Sequence, residues 1–273
     1  MRQRLPLDSL RILSIFVLTC VPLYIMVNET VRKLQEMRLS VMAKTYLDQM
    51  DHLEDFTGMS FDERFSLIVD READVRLDNK LKKLIHQAGF PCNSVDLEDI
   101  MYLPDRHLNR DLIKLLRSNG YIDKKRNVIF IGPTGCGKTF LANALGINAC
   151  RAGYKARYLR LPDFFAEYAE AEAKNHQLEL MKKCQKVRLL ILDEFLLIPL
   201  SGDQQRSLLE LLERRSDQSS TIFCSQYSFQ GWHEQIGGGA IADAILDRII
   251  PGAYKMEIQG DVSMRQRLAD TEE

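Results

Sequence analysis

Residues 132–139 read Gly-Pro-Thr-Gly-Cys-Gly-Lys-Thr and match the phosphate-binding pattern G-x-x-x-x-G-K-[ST] without a mismatch. The preceding residues, 128–131, are apolar and rich in β-branched side chains, as expected of a buried parallel strand. Residues 140–152 favour a helix with an apolar face. A strand, a glycine loop and a helix start in this order turn successive backbone N–H groups toward an anion. The sequence therefore predicts an α/β fold with a phosphate site where the strand meets the helix.

Residues 132–139, called the phosphate loop below, also carry side chains suited to a nucleoside triphosphate and Mg²⁺. Lys138 would place its ammonium group on the β- and γ-phosphates, and Thr139 would give its hydroxyl to the metal. The alternative is a glycine-rich turn that happens to carry a lysine, and the flanking strand and helix argue against it. The residues predicted to bind the nucleotide are Gly132, Pro133, Thr134, Gly135, Cys136, Gly137, Lys138, Thr139 and Phe140.

An acidic pair follows a second apolar run. Residues 189–192 are apolar, and Asp193 and Glu194 come directly after them. A carboxylate at the end of a buried strand beside the phosphate loop can hold Mg²⁺ directly or through water, and we assign this role to Asp193. Glu194 would then polarise the attacking water as a general base. The alternative is that both acids merely end the strand and cap the next turn.

Three further polar residues are candidates for catalysis. Ser225 and Gln226 end the strand that follows the acids, where a side chain can orient the attacking water; an ordinary polar strand end is the alternative. Arg248 lies on a helix beyond the catalytic edge of the sheet. It is either a surface ion-pair partner or a finger that reaches the nucleotide of a neighbouring subunit and neutralises charge in the transition state.

Charge and cysteine content limit the function classes. The net charge is −1, so no overall field draws the chain to nucleic acid. Local clusters at 80–83 and 124–126 are either solvated faces or phosphate-contacting patches. The six cysteines are scattered without a C-x-x-C pair, which indicates reduced thiols in the cytoplasm. Cys136 is predicted to be a tolerated filler of the loop, with a redox switch as the alternative.

The N-terminus is unlike the rest of the chain. Residues 12–27 are nearly all apolar and follow three arginines, as in a signal peptide or a membrane anchor. The run is short, it contains Pro22, and Met26 begins a segment typical of a protein start. We therefore predict that residues 1–25 are an upstream extension and that a membrane is not a partner. A true membrane anchor and an added packing helix are the alternatives.

The remaining patterns divide the chain into a helical part and an alternating part. Helices are predicted at 39–53, 61–69, 77–85, 108–118, 140–152, 163–184, 203–215 and 241–249, and strands at 128–131, 156–161, 187–192, 221–225 and 254–258. The alternation predicts a P-loop NTPase core whose five-stranded parallel sheet is flanked by helices on both faces. The predicted domains are a small helical domain at 26–120 and an ATPase domain at 121–268, followed by a tail at 269–273.

Several segments beyond the phosphate loop resemble a known family. They are residues 33–43, 190–195, 225–226, 232–236, 241–248 and 263–265. In these segments the chain resembles the IstB-like AAA+ ATPases, helper proteins of certain insertion sequences that are similar to the bacterial helicase loader DnaC. The resemblance covers roughly residues 26–268. One departure is Leu196, which stands where the family often carries a glycine, so the resemblance does not define the geometry of the local turn.

The resemblance implies properties that the residues alone do not. It implies ATP as the nucleotide, assembly on double-stranded DNA into an ATP-dependent oligomer, and a transposase from the same element as the partner. It implies that Arg248 is an arginine finger supplied in trans and that Ser225 or Gln226 is the first sensor. Arg265 is similar to a second sensor.

Three functions are consistent with these observations. The first is an ATPase that helps a transposase to select its target, and a replication helicase loader is the alternative. The third, a nucleotide switch without hydrolysis, is disfavoured because Glu194 offers a general base.

Overall fold

The computed structural model describes residues 26–260 and 262–269. The predicted upstream extension, residues 1–25, and most of the predicted tail lie outside the described residues. The chain divides into two compact units between Lys80 and Leu81. The predicted boundary after residue 120 differs from this division, because Ile113 and Leu116 share a core with the first strand of the sheet.

The first unit is helical. Helix α1 comprises residues 26–36, α2 is Ser40–Asp51, and a short 3₁₀ turn, Leu53–Phe56, follows. Helix α3, Phe61–Ala88, starts in this unit and continues past its end. The prediction of two separate helices at 61–69 and 77–85 was therefore wrong. The residues between them contain no glycine or proline, so nothing interrupts the backbone hydrogen bonds.

A buried carboxylate joins α2 to α3. Glu72 is 7% exposed and accepts hydrogen bonds from the backbone N–H groups of Val41 and Met42, at 3.1 and 2.9 Å. These amides belong to the first turn of α2, where helix N–H groups have no intrahelical partner. Arg76 donates to the other carboxylate oxygen at 2.6 Å. The hydrogen bond from Arg76, followed by that from Met42, lowers the pKa of Glu72.

We expect Glu72→Gln to destabilise the first unit by about 1–3 kcal/mol, because a charge-assisted hydrogen bond is lost. A carboxyl whose pKa is lowered on folding stabilises the fold above its unfolded pKa of about 4.3, and this contribution is lost as the pH falls through the folded pKa. The difference in unfolding free energy between variant and wild type should thus be largest at pH 7 and shrink below about pH 4. Hydrogen exchange at the amides of Val41 and Met42 measures this loss of stability. Glu54→Gln, at an exposed position, is the control. Equal protection in both proteins at pH 7 would contradict this role.

The second unit contains a five-stranded parallel sheet in the order β2-β3-β4-β1-β5, which confirms the predicted fold class. The strands are β1 Val128–Ile131, β2 Ala156–Arg160, β3 Leu189–Asp193, β4 Ser220–Ser225 and β5 Tyr254–Glu257. Strand side chains alternate between two apolar cores: Val128 and Phe130 enter one core and Ile129 enters the other. Both faces of the sheet are therefore covered, as parallel sheets require.

Helices cover both faces of this sheet. The helices that follow α3 are α4 Arg110–Arg117, α5 Gly120–Asp123, α6 Lys138–Arg151, α7 Leu161–Ala173, α8 Gln177–Lys186, α9 Gly202–Arg215, α10 Phe229–Ile236, α11 Gly239–Ile249 and α12 Met264–Ala269. Across residues 26–260 and 262–269, we find no helix whose length and apolar character would let it cross a membrane.

Two helical assignments differ from the sequence prediction. The single helix predicted at 163–184 is two helices, α7 and α8, because Asn175 adopts a left-handed conformation at φ 56° and turns the chain between them. Asparagine tolerates this conformation better than most residues. Helix α10 was not predicted from periodicity. It starts at the N-cap Ser228, whose hydroxyl accepts from the Gly231 amide at 3.4 Å.

Candidate nucleotide-binding and hydrolysis site

The phosphate loop connects β1 to α6, as the sequence predicts. Gly137 is the N-cap of α6 with φ 95°, and it has no side chain that could cap the first helical N–H groups. A Cβ atom at Gly137 would lie 2.6 Å from Nη2 of Arg106, and one at Gly132 would lie 2.2 Å from the carbonyl oxygen of Ile258. The clash with a backbone atom thus requires glycine at Gly132, and the left-handed φ favours it at Gly137. The result is a helix N-terminus that opens toward an anion.

Lys138 lies inside this loop. Its side chain is buried, and Nζ donates to the carbonyl oxygens of Gly132 and Pro133 at 2.7 and 2.8 Å. Two neutral carbonyl groups hold the ammonium group. A triphosphate offers stronger, charged acceptors at the same place, so the lysine is positioned to exchange these partners for phosphate oxygens.

The two predicted magnesium ligands are in direct contact. The Thr139 hydroxyl donates to Oδ2 of Asp193 at 2.7 Å, and Asp193 is 4% exposed at the end of β3. Oδ1 of Asp193 accepts from the backbone N–H of Glu194 at 2.8 Å. A hydroxyl and a carboxylate side by side at a helix N-terminus match the oxygen ligands that Mg²⁺ takes beside nucleotide phosphates.

Tyr158 completes this cluster and was not found by sequence reasoning. Its hydroxyl donates to Oδ2 of Asp193 at 2.7 Å from the neighbouring strand β2. Burial, followed by the charge of Asp193, raises the pKa of Tyr158, so the phenol stays protonated and remains a donor. A tyrosine in a strand is an ordinary sequence feature, and the strand order that brings it to the acid is not visible in the sequence.

Glu194 follows Asp193 at the mouth of the site and is paired with an arginine. Oε2 of Glu194 lies 2.7 Å from Nη2 of Arg160, the last residue of β2. Arg160 also lies 3.8 Å from Asp163. The ion pair fixes the predicted general base near the strand end and uses Oε2, so Oε1 of the partly exposed Glu194 is the oxygen available to a water.

The turn after the acidic pair uses left-handed backbone. Glu194 has φ 50° and Leu196 has φ 58°. A leucine in this conformation costs about 1–2 kcal/mol relative to glycine. Leu196 thus adopts the left-handed conformation that a glycine adopts readily. Its side chain is fully buried in the core, and this burial offsets the strain.

Ser225 and Gln226 have different environments. The Ser225 hydroxyl is buried, donates to the carbonyl oxygen of Phe195 at 2.8 Å and accepts from Nε1 of Trp232 at 2.8 Å. These contacts favour the structural alternative for Ser225, as an anchor of the buried Trp232. Gln226 is exposed, so it remains the predicted residue for orienting the water.

Arg248 lies beside the amino ends of the strands, whereas the phosphate loop lies at their carboxyl ends. Its carbonyl oxygen accepts from Nδ2 of Asn127, the residue before β1, at 3.2 Å. Nη2 of Arg248 lies 2.9 Å from Oε1 of Glu213 on α9. This ion pair is what the surface alternative for Arg248 expects, and its role as a finger in a neighbouring copy stays a prediction.

A cavity of about 470 Å³ adjoins the phosphate loop. This volume is typical of small-molecule sites. Its lining includes the apolar side chains of Val95, Phe140 and Met264 and the cations Arg106, Lys138 and Arg265. The cavity therefore offers an apolar surface for a base and positive charge for phosphates.

The C-terminal helix α12 is attached to the phosphate loop. The backbone N–H of Met264 donates to the carbonyl oxygen of Gly135 at 2.9 Å. Arg267 forms an ion pair with Asp105, which adjoins the buried Arg106. Arg265, which the family resemblance suggests as a second sensor, lines the cavity.

The arrangement fits a magnesium nucleotide. Within the described ranges, no three side chains from His, Cys, Asp and Glu come together as a metal site. Mg²⁺ bound with a nucleotide needs no such cage, because it takes one or two protein ligands and completes its shell with phosphate oxygens and water. Thr139 and Asp193 are the residues that would supply those protein ligands.

Comparison with known proteins is consistent with this site. Residues 32–271 match the family model described as IstB-like ATP binding protein. A Sinorhizobium fredii protein called an insertion sequence ATP-binding protein is 36% identical over 240 residues, which are 88% of this chain and 97% of that protein. A similarly named protein of insertion sequence IS1162 from Pseudomonas fluorescens is 37% identical over 201 residues, 74% of this chain and 87% of that protein.

Solved structures share the fold. AMPPCP-bound DnaA from Aquifex aeolicus superposes with a TM-score of 0.53 at 21% identity, over 65% of this chain and 54% of that chain. DnaI superposes with a TM-score of 0.50 at 20% identity, over 66% of this chain and 91% of that chain. At these identities the likeness shows the AAA+ fold alone.

Proposed function

This chain belongs to the family of IstB-like ATP binding proteins, and we propose that it is a magnesium-dependent ATPase that assembles on double-stranded DNA and regulates the transposase of an insertion sequence. The observation that carries the ATPase activity is the contact between Thr139 and Asp193, 2.7 Å apart, beside Lys138 and Glu194. A phosphate loop, a metal-holding acid and a base are the parts that phosphoryl transfer to water requires.

Each residue has a defined task in the proposed reaction. Lys138 and the N–H groups at the start of α6 bind the β- and γ-phosphates. Bound Mg²⁺ would neutralise charge that develops on the phosphates. Tyr158 holds the Asp193 carboxylate in place by its 2.7 Å hydrogen bond. Glu194 accepts the proton of the attacking water, and Arg160 holds its carboxylate through Oε2.

The insertion-sequence role is supported by the names of the relatives, which assign their ATP-binding proteins to such elements. A transposase from the same element is the partner that an ATPase of this origin would serve. Helicase loading, the alternative function, has only the sequence resemblance to the helicase loader DnaC in its favour.

The test measures ATP hydrolysis with Mg²⁺, in the presence and absence of duplex DNA, together with the size of the assembly. We expect hydrolysis, a larger particle with ATP than without, and stimulation by DNA or by the transposase. Purified chain that binds no magnesium–ATP in any assembly state would refute the ATPase. Hydrolysis that responds to a replicative helicase and to neither DNA nor transposase would favour the loader.

We expect Arg248→Ala to lower the turnover number by about 10²-fold or more with little change in nucleotide affinity, because a finger neutralises charge only in the transition state. Steady-state hydrolysis and equilibrium binding separate the two effects. Arg214→Ala is a matched control. Arg214 is 31% exposed and paired with a glutamate of α9, much as Arg248 is 30% exposed and paired with Glu213.

Mixing variants tests whether Arg248 acts in another copy's site. Lys138→Ala subunits keep the arginine and lack nucleotide, and Arg248→Ala subunits bind nucleotide and lack the arginine. If the finger acts between subunits, the mixture should hydrolyse ATP faster than either variant alone. A mixture no faster than the sum of its parts would assign Arg248 to its own subunit or to a surface ion pair.

A further inference from the structure

The cavity beside the phosphate loop contains two buried polar side chains with unused hydrogen-bonding atoms. Asn143 is 2% exposed and Arg106 is 3% exposed, and both line the cavity. Oδ1 of Asn143 and Nε of Arg106 have no hydrogen-bond partner among the described residues. Buried polar atoms are rarely left unpaired, because a buried atom without a partner loses the hydrogen bonds that it makes to water in the unfolded chain. One acceptor and one donor in the same cavity therefore point to a ligand that supplies their partners.

The orientation of the Asn143 amide follows from its other contact. Nδ2 donates to the carbonyl oxygen of Cys92 at 2.7 Å. A carbonyl oxygen can only accept, so the NH₂ group must face Cys92, and Oδ1 is the atom left unpaired. The unused group is therefore an acceptor, and rotating the amide by 180° would sacrifice the bond to Cys92.

Arg106 is held in place by the two loops that border the cavity. Nη1 donates to the carbonyl oxygen of Met101 at 2.6 Å, and Nη2 donates to that of Cys136 in the phosphate loop at 2.9 Å. These bonds occupy the ends of the guanidinium group and leave Nε. An arginine can only donate. The side chains that line the cavity thus include one acceptor atom and one donor nitrogen without a partner among the described residues, and each side chain is fixed by its other hydrogen bonds.

We propose that Asn143 is the residue that selects adenine over guanine in this site, with Arg106 as the second contact. The inference rests on the proposed nucleotide site. Adenine carries an exocyclic amine, which donates, next to a ring nitrogen, which accepts. Guanine carries a carbonyl oxygen in place of the amine, so Asn143 Oδ1 would face a second acceptor. Sites built to hydrogen-bond a ligand group reject an analogue without it strongly, because the buried protein atom stays unpaired.

The test compares diphosphates that share ribose and phosphates and differ in the base. The full chain is titrated with adenosine, guanosine, inosine and purine-riboside diphosphates in Mg²⁺. Purine riboside has hydrogen in place of the amine, and inosine has an oxygen. We expect the three analogues to bind at least about tenfold more weakly than the adenosine compound. Equal affinity for adenosine and purine-riboside diphosphates overturns the assignment and leaves the nucleotide site standing; no binding of any diphosphate removes both proposals.

A protein variant then identifies the residue. Asn143→Leu keeps the side-chain size and removes the acceptor, so it should bind adenosine and purine-riboside diphosphates equally. Asn148→Leu is the matched control on the same helix, since the Asn148 amide bonds Arg117 and Asn119 and does not line the cavity. It should keep the wild-type difference. An Asn143→Leu protein that keeps the difference overturns the proposal, and the wild-type titration tests it independently should this variant fold poorly.

Discussion

The variant Lys138→Ala should lose measurable binding of magnesium–ATP. The ammonium group is the strongest donor in the phosphate loop, and it is buried within 2.8 Å of two loop carbonyl oxygens. Removing it deletes charge-assisted hydrogen bonds to the phosphates, and we expect the affinity to fall by at least about 10²-fold. Thermal unfolding shows the effect directly, since ligand at 100 times its dissociation constant stabilises a protein by about 2.7 kcal/mol. Wild type should gain stability with ATP, and the variant should not.

Two controls separate binding from folding in that experiment. The variant's melting temperature without nucleotide should stay close to that of wild type, because the deleted contacts are two bonds to neutral carbonyls. Lys155→Ala, an exposed lysine before β2, should respond to ATP as wild type does. A Lys138→Ala protein with an undiminished ATP-dependent shift would show that the loop does not grip the triphosphate through its lysine.

Glu194→Gln should keep nucleotide binding and lower turnover by about 10²–10⁴-fold, the usual contribution of a positioned general base. Glutamine retains the shape and the hydrogen-bonding oxygen and cannot take the proton of water. The variant should therefore accumulate the ATP-bound state. Single-turnover hydrolysis and the ratio of ATP to ADP on the purified protein measure this, and unchanged turnover would refute the assigned base.

Asp163→Asn is the matched control for this variant. Asp163 approaches the same Arg160 at 3.8 Å, and the substitution changes charge by the same amount. It should leave turnover within a few-fold of wild type, because Asp163 lies on α7 and does not follow β3, the strand that ends in the predicted magnesium ligand Asp193. A loss as large as that of Glu194→Gln would mean that the arginine's environment, and not the base, limits hydrolysis.

The sequence was most informative where the function depends on local chain geometry. The phosphate loop is continuous in sequence, and a strand before it and a helix after it are enough to define its shape. Asp193 and Glu194 could be assigned because they follow an apolar strand, and parallel strands end at one edge. The five strands were all found close to their observed bounds.

What the sequence did not reveal depends on contacts between distant residues. Tyr158 reaches Asp193 only because β2 and β3 are neighbours in the sheet. Ser225 serves as an anchor because the later helix α10 brings Trp232 back onto it. The break between α7 and α8 depends on one residue, Asn175, in a conformation that alanine-rich and glutamate-rich flanks do not suggest.

The positions of the phosphate loop and Arg248 restrict the symmetry of any assembly that uses both. The loop lies at the carboxyl ends of the strands, and Arg248 lies at their amino ends beside Asn127. A two-fold pair joins the same surface of both copies, and the loop and Arg248 lie at opposite ends of the strands, on different surfaces. One copy therefore presents its arginine to the loop of a second in head-to-tail order. Such an arrangement closes into a ring or grows as a filament. In an open filament the copy at one end has a nucleotide with no arginine opposite it, so its ATP would outlast the others and mark the end at which subunits are added or retained.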